Sequence, residues 1–207
     1  MDARLNILET LYRFELDETA HARLIQQAAF ASWQKRIPVI LLRVQLANHD
    51  EFTCKVSEAT RDWRSDYAAS ARAIWLDMPT HLVRRFASLP ATYCGTFELE
   101  SVHRIDMMSI VNDATRRGID DILWMAGGTC EGGFVGLLAV NATTVTTPQR
   151  ERDHWRPVAA HLAAAWRVRS RLDAGVALED LADARFRPDG RCLGEPRLRA
   201  RGAHVSD

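Results

Sequence analysis

Residues 119–140 read IDDILWMAGGTCEGGFVGLLAV, and their reading decides the fold. Ile119 to Ala126 and Phe134 to Val140 are two β-rich runs. Between them lies Gly127-Gly128-Thr129-Cys130-Glu131-Gly132-Gly133, a glycine-dense loop that suits a hairpin better than a crossover. A second hairpin is written upstream. Val39 to Leu46 is a nearly continuous apolar run, as expected of a strand covered on both faces, and Asn48-His49-Asp50 supplies a turn. Phe52, Cys54 and Val56 then alternate with Thr53, Lys55 and Ser57, which predicts an antiparallel return with one face toward solvent.

Helical patterns surround the hairpins. Leu5, Leu8, Leu11 and Tyr12 predict one face of a first helix, and Leu24, Ile25, Ala28, Ala29 and Ser32 that of a second, with Asp17 as its N-cap. Further helices are expected from Arg61 to about Trp75, over Leu82, Val83, Phe86 and Leu89 until Pro90, and from Ser101 to Arg117 before Gly118. Thr147 as N-cap and Pro148 at the first helical position predict the start of a last long helix, whose stripe is Trp155, Val158, Leu162, Trp166, Arg169 and Leu172. Pro157 lies well past its first turn and predicts a kink or break. The order helix pair, hairpin, helices, hairpin, long helix predicts an α+β fold: an antiparallel sheet with the terminal helices on one face and the middle helices on the other.

Composition narrows the function classes. With 27 basic and 27 acidic side chains in 207 residues, no overall field gathers nucleic acid or anionic lipid. No stretch approaches the run of about 20 apolar residues that a membrane span needs, and the N-terminus lacks an apolar signal core, so a cytoplasmic protein is expected. Cys54, Cys94, Cys130 and Cys192 are far apart with no C-x-x-C pair, which signals neither a disulfide framework nor structural zinc. Residues 1–173 are expected to form one domain. Residues 174–207 are expected to be a linker with a short hairpin, Arg185-Phe186-Arg187 and Arg191-Cys192-Leu193 around Pro188-Asp189-Gly190, and a frayed end.

Several stretches resemble the N-terminal, GAF-like sensory half of LuxR-type helix-turn-helix transcriptional regulators. They are Ile7-Leu8-Glu9-Thr10-Leu11-Tyr12 leading into Ala28-Ala29, then Thr147-Pro148-Gln149-Arg150-Glu151-Arg152 through Ala159-Ala160-His161-Leu162 to Arg167-Val168-Arg169-Ser170-Arg171-Leu172, and Arg187-Pro188-Asp189-Gly190-Arg191-Cys192-Leu193. The resemblance implies a GAF-like fold and a sensing role, and it carries no catalytic residue. It also implies a pocket between sheet and middle helices, for which Trp63, Tyr67, Trp75, Tyr93 and Trp124 are the candidate lining; core packing accounts for the same aromatics equally well. Such a regulator would continue to a DNA-reading helix, whereas this sequence ends at Asp207, so direct nucleic-acid binding is not expected.

Three other constellations have a functional and a plain reading. Gly128-Thr129-Cys130-Glu131-Gly132 fits a nucleophile elbow, but an elbow needs a helix after it, and the strand pattern of Phe134 to Val140 favours a hairpin loop. His154 and His161 share a helix face seven residues apart, where metal-binding pairs usually stand four apart, so a structural or surface role is favoured. The arginines from Arg150 to Arg171 are interleaved with Glu151, Asp153 and Asp173 and read as a solvated face. The expectation is therefore a non-catalytic signal-sensing or regulatory module without cofactor or metal. It would bind a small molecule or protein partner and form a homodimer through the terminal helices, Asp17 to Gln34 and Pro148 to Leu172. A cysteine-dependent hydrolase and a truncated DNA-binding regulator are the alternatives.

Overall fold

The structure is a computed structural model, and it describes residues 3–33, 39–47, 51–57, 73–103, 112, 115–116, 119–129, 132–141 and 144–175. Its elements are α1 (Ala3–Leu11), α2 (Glu18–Ser32), β1 (Val39–Leu46), β2 (Phe52–Val56), α3 (Thr80–Ala87), β3 (Thr92–Gly95), α4 (Thr96–His103), β4 (Asp121–Gly128), β5 (Gly133–Asn141) and α5 (Gln149–Asp173). The strands form one antiparallel sheet in the order β2-β1-β5-β4-β3. Both expected hairpins are present. They meet through β1 and β5, with Val39 opposite Ala139 and Gln45 opposite Gly133, so the two halves of the chain share a sheet.

Alternation along the strands builds two cores, one on each face. Val39 and Leu41 of β1, Leu123 and Met125 of β4, and Val135, Leu137 and Ala139 of β5 face the layer of α1, α2 and α5. Their neighbours Ile40, Leu42, Val44, Trp124, Ala126, Phe134 and Leu138 face α3 and the segment carrying Trp75 and Met78. The expected layering, terminal helices on one side and middle helices on the other, is what the strands carry. Apolar burial on both faces also explains why β1, β4 and β5 read as near-continuous apolar runs. No helix among the described residues is long and apolar enough to cross a membrane.

Local chemistry sets several boundaries. Asp17 caps α2 as expected, its carboxylate accepting from the Thr19 and Ala20 amides at 2.9 Å. In α1 the buried side is Ile7, Thr10 and Leu11, while Leu5 is 51% exposed and Tyr12, just past the helix end, 41%, so the apolar stripe is rotated from the one the spacing predicts. β3 is absent from the sequence reading. α4 starts at Thr96, ahead of the expected Ser101, and the rest of that expected helix lies largely outside the described residues, as do most of Arg61 to Trp75 and the hairpin after residue 175.

Two expectations about α5 are corrected. Thr147 does not cap it: the Thr147 hydroxyl and amide are both given to Glu98, and Pro148 holds the cap position without a side-chain bond. The helix also runs unbroken across Pro157. Proline there removes the donor for the Asp153 carbonyl, but both residues are exposed, so water can take the freed acceptor.

A glycine-only approach locks the far edge of the sheet. The Gly128 amide donates to the Leu89 carbonyl at 2.8 Å, and a Cβ on Gly128 would lie 2.0 Å from the Ala87 carbonyl oxygen. The glycines of the 127–133 stretch are thus partly strand: β4 continues through Gly128 because the chain leaving α3 lies directly against it.

Candidate functional site

The middle-helix face holds an aromatic chamber. Trp75 stands 4.9 Å from Phe86, 5.6 Å from Phe134 and 6.3 Å from Trp124, measured between ring centres, and Phe86 stacks on Trp124 at 5.8 Å. Each ring comes from a different element, so the chamber ties β4 and β5 to α3 and to the helical residues 73–76. The Trp124 indole donates to the Thr96 hydroxyl at 2.9 Å, and that hydroxyl donates to the Ile122 carbonyl at 3.2 Å, which satisfies the polar edge of the ring.

Of the five aromatics proposed as pocket lining, Trp75 and Trp124 are brought together here. Tyr93 is not with them. Strand alternation turns its ring to the opposite face, where it stacks on Trp155 at 5.9 Å and donates to Glu151 at 2.9 Å. Burial, reinforced by the Glu151 charge, pushes its phenol well above the ordinary tyrosine range. Trp63 and Tyr67 lie outside the described residues.

The hydrolase reading gains no partner from the described residues. Cys130 lies outside them, but β4 and β5 flank its loop, so the strand-then-helix setting of a nucleophile elbow is not formed there. Cys94 is buried beside Thr92, and burial pushes its thiol up to about 11, the reverse of an activated thiolate. His154 and His161 are both exposed on α5; His161 Nδ1 lies 2.7 Å from the Tyr12 hydroxyl. No group of three His, Cys, Asp or Glu side chains among the described residues is placed to hold a metal ion.

A concavity lies on the terminal-helix face. It is a cleft of about 560 Å³ between the β1–β2 hairpin, the first turn of α2 and the last turns of α5, lined by Glu18, Arg43, Lys55, Trp166, Arg171 and Asp173 among others. Arg43 leans over the Trp166 indole, 4.6 Å from its centre, and Trp166 stacks on buried His21 behind it. Glu18 pairs with Arg43 and also with Lys55, whose ammonium lies 3.1 Å from its carboxylate. Asp173 is taken by Arg169 at 3.0 Å. Burial, then the Arg169 charge, lowers the Arg43 guanidinium to about 10 against the opposing pull of Asp173. The sequence did hold a signal for this site: Arg43 is the one charge inside the apolar run from Val39 to Leu46. A buried strand keeps such a side chain only where its charge is met.

No protein-family model matches the chain, and no curated protein does. Among solved structures it is similar to a crystal structure of the N-acylhomoserine lactone dependent LuxR family transcription factor CepR2 from Burkholderia cenocepacia. The two are 14% identical, with a TM-score of 0.45, over 79% of this chain and 93% of that one.

Proposed function

We propose that the chain is a cytoplasmic, non-catalytic sensing or regulatory module, GAF-like in layout. It takes in a small molecule or a protein contact at the aromatic face of its sheet and passes the change to its terminal helices, which form a homodimer seam. Residues 1–173 make up the sensing unit, and residues 174–207 are a linker with a short hairpin. Trp63 and Tyr67 join Trp75 and Trp124 around the ligand, while Tyr93 belongs to the output side.

One observation carries this reading: the chamber and the helix layer lean on alternate residues of the same strands. Trp124 of the chamber is followed by Met125 of the helix side, and Phe134 by Val135. α5 packs on β3, β4 and β5. Repacking the rings around a ligand therefore moves the strand surface on which α5 rests, and a close-packed interior transmits small displacements rather than absorbing them.

Native mass spectrometry of the full chain purified from its own host tests both parts. The expected spectrum is a dimer carrying a small-molecule adduct, and Trp124→Phe reduces adduct occupancy. A bare chain, with no protein captured in stoichiometric amount, would overturn the sensing role. Sedimentation as a strict monomer at high micromolar concentration would remove the dimer seam. Rapid alkylation of Cys130 with a strongly lowered apparent pKa would return the chain to the hydrolases.

A further inference from the structure

We propose that the cleft between the β1–β2 hairpin and the ends of α2 and α5 is a second binding site, for a small molecule bearing a carboxylate or phosphate group, and that Glu18 is a built-in stand-in which this ligand displaces. The site lies on the opposite face of the sheet from the aromatic chamber, so it stands whether or not the chamber takes a ligand.

Two cations share one carboxylate here. Arg43 and Lys55 line the cleft and both pair with Glu18. Asp173 pairs with Arg169 beside the cleft, and its charge also acts on Arg43. Arg43 carries the greater demand. Its side chain is only 13% exposed, and its Nε, buried, has no hydrogen-bond partner among the described residues. A buried guanidinium is costly unless its donors are met, and its planar fork can take an oxyanion in two parallel bonds, which a carboxylate shared with Lys55 is poorly placed to supply. The volume, about 560 Å³, falls in the range of small-molecule pockets. Thr53, Gln45 and Ser170 add hydroxyl and amide groups that could orient the body of a ligand.

Glu18 is placed to give way. It is the first residue of α2 and 34% exposed, and the cap on that helix is made by Asp17, so its side chain can turn to water without uncapping the helix. An oxyanion in its place would bridge the hairpin, the first turn of α2 and the end of α5.

Isothermal titration of the full chain with succinate, and separately with inorganic phosphate, tests this at an ionic strength held constant with sodium chloride. One of the two is expected to bind saturably, which tells a carboxylate ligand from a phosphate one. Glu18→Gln removes the competitor and should tighten that anion about tenfold, whereas Lys55→Ala should weaken it about fivefold. Lys55 is 62% exposed, so its variant should fold even if changes at Arg43 do not. An ion-pair cluster of purely structural role would lower the melting temperature of each variant and leave every titration flat. Flat titrations of both wild type and Glu18→Gln, or weaker binding by Glu18→Gln, would overturn the proposal.

Discussion

Asp121 shows how much one side chain organises here. It is 3% exposed, and its carboxylate accepts from the Thr96 and Ile122 amides at 2.8 and 2.7 Å and from the Val145 amide at 2.8 Å, joining β4, the start of α4 and the irregular stretch leading to α5. Asp121→Asn puts an amide donor against one or more of those N–H groups. It should cost about 2 kcal/mol or more of unfolding free energy in urea, because a buried donor is left facing a donor. His21 makes a second prediction. Its ring is fully buried, Nε2 lies 3.1 and 3.2 Å from the Thr10 and Leu11 carbonyls, and Nδ1 has no partner among the described residues. Burial, aided by the Arg169 charge, holds its pKa below the ordinary 6.5, against the pull of those two carbonyls. The folded protein therefore keeps His21 neutral where the unfolded chain takes a proton. Stability is full above about 6.5 and falls as pH drops below it, since the unfolded state then binds more protons. His103, lowered by burial, acts in the same direction. Urea melts between pH 8 and 5.5 should show this loss, and His21→Gln should reduce its slope without abolishing it.

At the scale of elements, α5 invites a substitution. Pro157 is exposed inside an unbroken helix, so Pro157→Ala restores one backbone hydrogen bond and should stabilise the chain by on the order of 1 kcal/mol, partly offset by the greater freedom of the unfolded state. Thermal melts of the pair check it; a lower melting temperature would mean the ring is packed against something. Which elements could be foreseen follows from the same physics. β1 and β2 were legible with their bounds, because an apolar run beside a strictly alternating one leaves few other readings. β3 was not, since four residues after Pro90 are too few to establish a period, and its pairing comes entirely from β4. The cap of α5 misled for another reason. Thr147 is a good capping residue in isolation, but Glu98 is distant in sequence and claims its hydroxyl. The cleft escaped likewise, for Glu18, Arg43 and Asp173 meet only when three elements do.

For the whole molecule, the aromatic chamber is what binds α3 and the helical residues 73–76 to the sheet. Phe86 is fully buried and touches Trp75, Trp124 and Phe134, so Phe86→Ala should cost about 3–5 kcal/mol. Urea unfolding followed by tryptophan fluorescence would measure it; a loss under 1 kcal/mol would mean that the rings collapse into the space, leaving the chamber plastic. Two layers on one sheet were readable from element order. Which aromatic falls on which face depended on register, and a shift of one residue sends Tyr93 to one core and Trp124 to the other.

The central ladder has a consequence for how the protein is made. Val39 and Ala139 face each other across a hundred residues of chain, so the β1–β5 seam closes a very long loop, and it is the seam on which both cores depend. Each hairpin can zip up early from local contacts, whereas the seam should set a slow, single folding step. On the ribosome, β1 must wait with its apolar middle-helix side bare and its other side covered only by α1 and α2 until the second hairpin emerges, and that interval is when the newborn chain would most need a chaperone.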